Sequence, residues 1–181
     1  IMFGLNMVVH KGKTIFVGDT SVHEYPTSEQ MAEIAISTAR VVRLFGFEPK
    51  VAFVSHSTFG QPLTSRTKHI RNAVDLLKEK KVDFEFDGDM QPDVALNSEY
   101  EELYPFSKIV GKANILIMPG QHSAAISYKM MKTLGDTKVI GPLLIGIGLP
   151  IEIAPLRSST SDLINLASIA AYSADIIDYK K

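Results

Sequence analysis

The chain has no cysteine. That removes a disulfide, a thiolate zinc site and a cysteine nucleophile from consideration. It also has no excess of either charge: 19 basic and 20 acidic residues give a net charge of −1. Without a broad basic field, nucleic acid is not an expected partner. No apolar run comes near the roughly 20 residues that a membrane helix needs, so no membrane partner is expected. No basic segment precedes an apolar one at the start, so no signal-peptide layout is read, and the absence of cysteine fits the cytoplasmic location that is expected. What remains is ordinary for a globular chain: 181 residues, 45% hydrophobic and 22% charged. That length reads as one domain, residues 1–181, able to bury a real core. The opening Ile1-Met2-Phe3-Gly4-Leu5 reads as mid-pattern, and a fragment of a longer protein is expected.

Hydrophobic spacing divides the chain into alternating strands and helices. Lys13–Val17 is a short β-type run ending at Gly18-Asp19. Thr27 and Gln30 have capping-box spacing and open a helix to about Phe45, with Met31, Ile34, Ala35, Thr38, Val42 and Phe45 on one face. Gly46 has the place of a C′ glycine. Lys50–Ser55 is continuously apolar, as a strand covered on both faces would be. A helix follows over about Thr64–Lys80, then an alternating strand over Asp83–Gln91. Tyr100–Lys108 reads as irregular, with a short helical turn. A buried strand is expected at Asn114–Met118, a helix at Ser123–Leu134, a short strand at Ile151–Ala154 and a last helix at Thr160–Ile177. On that helix Ala167, Ala170, Ala171 and Ala174 make a small-residue face suited to close packing. The alternation predicts an α/β fold: a three-layer α/β/α arrangement around a mainly parallel sheet.

Ligands of such sheets bind beyond the carboxyl ends of the strands. Three strand-to-helix loops are candidates. The first runs Ser55-His56-Ser57-Thr58-Phe59-Gly60, the second Pro119-Gly120-Gln121-His122-Ser123, and the third Pro155-Leu156-Arg157-Ser158-Ser159-Thr160-Ser161. Their hydroxyls and the helix starts behind them suit an anion, although such residues also simply cap helices. Arg157 within the third loop and Lys129 in the helix after the second could hold a phosphate-bearing ligand. The candidate binding residues are therefore Ser55, Ser57, Thr58, Gly60, Gly120, His122, Ser123, Lys129, Arg157, Ser158 and Ser159. His56 and His122 could meet across neighbouring strand ends, but hydrogen-bonded loop histidines are the plainer expectation.

Several motifs fall short. Gly12-Lys13-Thr14 lacks the leading glycine of a P-loop and is followed by a strand. Gly146-Ile147-Gly148 lacks the third glycine and the helix of a dinucleotide fingerprint. Ser65-Arg66-Thr67-Lys68 has the serine–lysine spacing of penicillin-recognising enzymes but none of their partner motifs. No helical histidine pair suggests a metal. Asp87 and Asp89 flank a turn glycine, a spacing that does not itself define an acid–base pair.

The order Gly18-Asp19-Thr20-Ser21-Val22, Pro26-Thr27-Ser28-Glu29, Phe86-Asp87-Gly88-Asp89-Met90-Gln91, Leu103-Tyr104-Pro105-Phe106 and the stretch from Ala113 to Asp178 resembles the phosphotransacetylase family over nearly the whole chain. Within it, the closest resemblance is to the phosphotransacetylase-like C-terminal domain of large bacterial NADP-dependent malic enzymes. The resemblance implies a phosphotransacetylase fold akin to isocitrate dehydrogenases. Active relatives move an acetyl group between coenzyme A and phosphate. Near their last helix they carry a Ser-Arg pair, tied to the thiol and the acetyl phosphate, and an aspartate tied to proton transfer. Aligned on the start of that helix, the aspartate falls at Asp162, the serine at Pro155 and the arginine at Leu156. These positions are degenerate, so no catalytic residue is assigned. Ala124-Ala125 replaces a Gly-Asn pair, and of a Lys-x-x-x-Arg pair only Lys129 remains, with Thr133 in the arginine place.

The resemblance thus implies a domain inactive as a transferase, which binds acetyl-CoA or a related acyl-CoA as an allosteric effector. Its implied partners are a malic-enzyme catalytic domain of the same chain and further copies in a homo-oligomer. NADP and a divalent metal would belong to that catalytic domain alone. One alternative is an active phosphate acetyltransferase using Arg157 and Asp162 in a shifted arrangement; another is a purely structural oligomerisation domain.

Overall fold

A computed structural model describes residues 1–176. Six strands form one sheet in the order β4-β3-β5-β2-β1-β6. They are β1 (Phe3–His10), β2 (Lys13–Gly18), β3 (Lys50–Val54), β4 (Glu85–Met90), β5 (Ile115–Ile117) and β6 (Thr137–Ile145). β2, β5, β3 and β4 are mutually parallel, while β1 runs antiparallel to both β2 and β6. The α/β class and the mainly parallel sheet are as expected; the reversed β1 and its neighbour β6 are additions that no periodicity had marked.

The helices are α1 (Ser28–Leu44), α2 (Ser65–Lys80), the single-turn α3 (Pro92–Leu96), α4 (Gln121–Leu134) and α5 (Thr160–Ile176). The expected end of α5 at Ile177 lies outside the described residues. The capping box forms as the sequence suggested: Gln30 N–H donates to Thr27 Oγ1 at 3.2 Å, and Thr27 N–H donates to Gln30 Oε1 at 2.8 Å. Gly46, at φ +83, closes α1 with its N–H donating to the Arg43 carbonyl at 2.9 Å. α2 opens on a second box, Thr64 with Thr67.

Alternate residues of the central strands separate two cores. Phe16, Val51, Phe53, Ile115 and Ile117 face α1 and α2, meeting Ile34, Ala35, Val42, Ile70 and Leu77. Val17, Ala52, Val54, Leu116 and Met118 face the other way, toward Ala95 of α3 and Ala124 of α4. The result is helix, sheet and helix in three layers.

Two expectations need correction. Ile151–Ala154 is not a strand: it makes only an isolated antiparallel bridge, Leu143 with Glu152. The segment lies outside β6 at the margin of the sheet, where backbone pairing stops after one bridge. The alanine face of α5 is also not packed closely. Ala167, Ala171 and Ala174 are exposed, and Leu166 is the helix's buried apolar anchor among the described residues.

Candidate functional site

Parallel pairing brings the carboxyl ends of β2, β5, β3 and β4 to one edge of the sheet. The first two candidate loops meet this edge, as expected. After β3 the chain folds back on the end of β4. Ser55 N–H donates to the Met90 carbonyl at 2.9 Å, and Gln91 Nε2 donates to the His56 carbonyl at 2.8 Å. Gln91 N–H donates to Thr58 Oγ1 at 3.3 Å. Ser57 donates its hydroxyl hydrogen to Asp89 Oδ2, while Asp89 Oδ1 is buried without a partner. Ser55, Ser57 and Asp89 are all buried, with Asp89 at 0% exposure. Gly60 carries φ +81 and lies under the Arg71 guanidinium, where a side chain would collide.

Asp87 and Asp89 lie within β4 rather than flanking a turn, because Asp87 and Gly88 pair with β3, and Asp87 holds structure. It accepts from Gly88 N–H at 2.9 Å and from Lys108 N–H at 2.8 Å. Asp19, at the end of β2, does the same for its own loop. It accepts from Val22 and His23 N–H at 3.1 Å each and faces His23 Nδ1 at 2.5 Å.

The second loop starts α4 at Gly120, whose backbone passes close under the Glu24 carbonyl. Gln121 N–H donates to that carbonyl at 3.2 Å, and Ser123 Oγ donates to the Gly120 carbonyl at 2.7 Å. His122 does not meet His56. Its Nε2 lies 3.5 Å from Glu24, and its ring lies parallel to Tyr25 with centroids 6.5 Å apart. Lys129 is exposed further along α4, its Nζ 5.9 Å from the Tyr128 ring.

The third loop is placed elsewhere, and the three do not converge. After β6 the chain reverses, and Glu152 bridges back to Leu143. Pro155, Ser158 and Asp162 then line a small cavity with Lys132, Val139 and Tyr128, against β6 and the later turns of α4. The physical reason is that Ile151–Ala154 does not join the sheet as a parallel strand, so nothing carries the loop to the carboxyl edge. Arg157 is exposed, and Leu156 is fully exposed at 107%. Asp162 caps its own helix. It accepts from Ser159 N–H at 2.9 Å and Ser159 Oγ at 2.8 Å, and those bonds hold its carboxyl below the ordinary aspartate range. Ser158 Oγ donates to the Pro155 carbonyl at 2.7 Å.

The sequence reading missed a cleft of about 380 Å³ beside the first turns of α1 and α2 and the end of β5. Tyr25, Thr27, Arg66, His69 and Pro119 line it. Arg66 lies over the Tyr25 ring at 5.5 Å. The signal available in sequence was slight: Tyr25 sits just ahead of Pro26, and Arg66 reads as the wet face of α2. Among the described residues no group of three histidine or acidic side chains could hold a metal ion.

With this geometry in hand, comparison with known proteins assigns the class. Residues 1–171 match the family described as phosphate acetyl/butaryl transferase, and the chain belongs to that family. It is 47% identical to an NADP-dependent malic enzyme of Rhizobium meliloti over 96% of this chain and 23% of that protein. It is 35% identical to a phosphate acetyltransferase of Clostridium acetobutylicum over 88% of this chain and 49% of that protein. Among solved structures, the EutD phosphotransacetylase from Staphylococcus aureus superposes with a TM-score of 0.88 at 30% identity, covering 96% of this chain and 54% of that one. The chain thus spans about a quarter of the malic enzyme and about half of the phosphotransacetylases. It is a phosphotransacetylase-like domain related both to malic-enzyme C-terminal regions and to phosphate acetyltransferases.

Proposed function

We propose that this domain senses acetyl-CoA, or a related acyl-CoA, and regulates a malic-enzyme catalytic domain rather than transferring acetyl groups itself. The observation that carries this reading is the state of the reactive positions. Pro155 and Leu156 bring neither donor nor charge to the places of the family's serine and arginine. Asp162 is committed to the cap of α5, and the hydrogen bonds that lower its pKa make it a weaker proton acceptor. The similarity to malic enzymes supports the regulatory half. Self-association fits the apolar surface left open by Leu156, Leu163 and Ile164.

Two measurements test it. Acetyl-CoA is titrated by calorimetry, with free coenzyme A for comparison, and acetyl phosphate formation from acetyl-CoA and phosphate is followed in a coupled assay. Saturable binding without turnover is the expected pair of results. The likeness to active phosphotransacetylases supports a second reading, an active phosphate acetyltransferase. Turnover at enzyme-like rates would replace the first reading with the second.

A further inference from the structure

The cleft that Tyr25 and Arg66 frame has no role in the reading from sequence, and it lies at the sheet edge where α/β proteins take ligands. Its volume of about 380 Å³ falls within the range of small-molecule sites. Its most unusual member is Tyr25. The side chain is 62% exposed, yet two neighbours fix it. Arg66 lies over its face at 5.5 Å, and the His122 ring lies parallel to it, 11° from coplanar, at 6.5 Å. An exposed aromatic ring with a cation 5.5 Å from its centroid and a nearly parallel ring 6.5 Å away, too far for direct face-to-face contact, is a platform for another planar ring.

The charges around it are specific. Arg66 makes no ion pair and no side-chain hydrogen bond among the described residues, so its guanidinium fork is available to a phosphate. His69, deeper in the cleft, is already engaged. Its Nδ1 lies 3.0 Å from Ser28 Oγ and its Nε2 2.9 Å from the Pro26 carbonyl. It therefore shapes the floor. Two carboxylates lie nearby, Glu24 beside His122 at 3.5 Å and Glu29 in the first turn of α1. Arg66, rather than the cleft as a whole, is accordingly the group suited to an anion.

We propose that this cleft is a nucleotide subsite, with a purine ring stacked on Tyr25 and a phosphate held by Arg66. It deepens, and rests on, the acyl-CoA reading: the nucleotide portion of the ligand would sit here, while its thioester lies elsewhere along the carboxyl edge.

The test uses this chain with three probes: acetyl-CoA, adenosine 3′,5′-bisphosphate and inorganic phosphate. Each is titrated into the native protein, Tyr25→Ala, Arg66→Ala and the remote control Arg40→Ala, with backbone amide shifts recorded alongside. Unchanged spectra away from residues 25 and 66 show that the variants are folded. The expected result is that the bisphosphate shifts residues 25, 66 and 122. Both cleft substitutions should weaken acetyl-CoA and the bisphosphate by roughly tenfold, and Arg40→Ala should not. Bisphosphate binding in the cleft without any acetyl-CoA binding would keep the subsite and overturn the acyl-CoA reading. Acetyl-CoA binding that both substitutions leave within about twofold would overturn the subsite and keep that reading. Phosphate binding as tightly as the bisphosphate would remove the ring-stacking role. No binding by any probe would overturn both.

Discussion

Ser57 at the end of β3 donates its hydroxyl hydrogen to Asp89 at the end of β4, and the second carboxyl oxygen of Asp89 is buried without a partner. The pair ties two strand ends at the edge where the first two candidate loops lie. Ser57→Ala would leave that buried side chain with no donor at all. The expected cost is about 1–3 kcal/mol, read as a lower urea midpoint at unchanged slope. Asp89→Asn keeps an oxygen for Ser57 and should cost less; equal losses in both variants would refute this account.

Glu152 makes stability depend on pH. Burial against β6 pushes its carboxyl up to about 7, and its Oε2 has no partner. The folded chain then keeps a proton that the unfolded chain releases near 4.5. Its contribution is full below that lower value and is lost as pH rises to about 7. Because the group is only half-buried, solvent screening reduces the effect to the order of 1 kcal/mol. Glu152→Gln should flatten this part of the curve in denaturant melts between pH 4.5 and 7. A curve that keeps its slope would exclude Glu152 as the source.

Thr27 and Leu77 separate local from tertiary stabilisation of the α1–α2 layer. Thr27→Ala removes half of a capping box, for about 1 kcal/mol. Leu77→Ala opens a cavity at a site with 0% exposure, for about 2–5 kcal/mol. Thermal and chemical melts should rank them in that order.

Asp162→Asn distinguishes a helix cap from a catalytic base. As a cap, it should lower the melting temperature while acetyl-CoA titrates unchanged and acetyl phosphate formation stays absent. A measurable transferase rate in the native chain, abolished in this variant, would restore Asp162 to the chemistry.

The sequence by itself determined the local elements that carry their own signals. The capping box of Thr27 and Gln30, the glycine stop at Gly46 and the apolar face from Met31 to Val42 gave α1 nearly to the residue. The unbroken apolar run after Lys50 gave β3, buried on both faces. That Pro155 and Leu156 offer no side-chain donor or charge was also legible, because side-chain chemistry needs no coordinates.

Tertiary structure decided what depends on partners far along the chain. β1 and β6 escaped notice because β1 carries Gly4 and Asn6, both poor strand formers, and β6 contains Gly141-Pro142. Such an interruption reads as a loop until a neighbouring strand is seen to tolerate it. Asp89 and Ser57 are 32 positions apart, and only the pairing of β3 with β4 makes them neighbours. Tyr25, Arg66 and His122 come from three separate segments, so no spacing rule could join them. The third loop shows the converse: its residues suited an anion, but a single bridge at Glu152 was not enough to bring it to the sheet's carboxyl edge. Side-chain chemistry is written in the sequence, whereas convergence is set by which backbones pair.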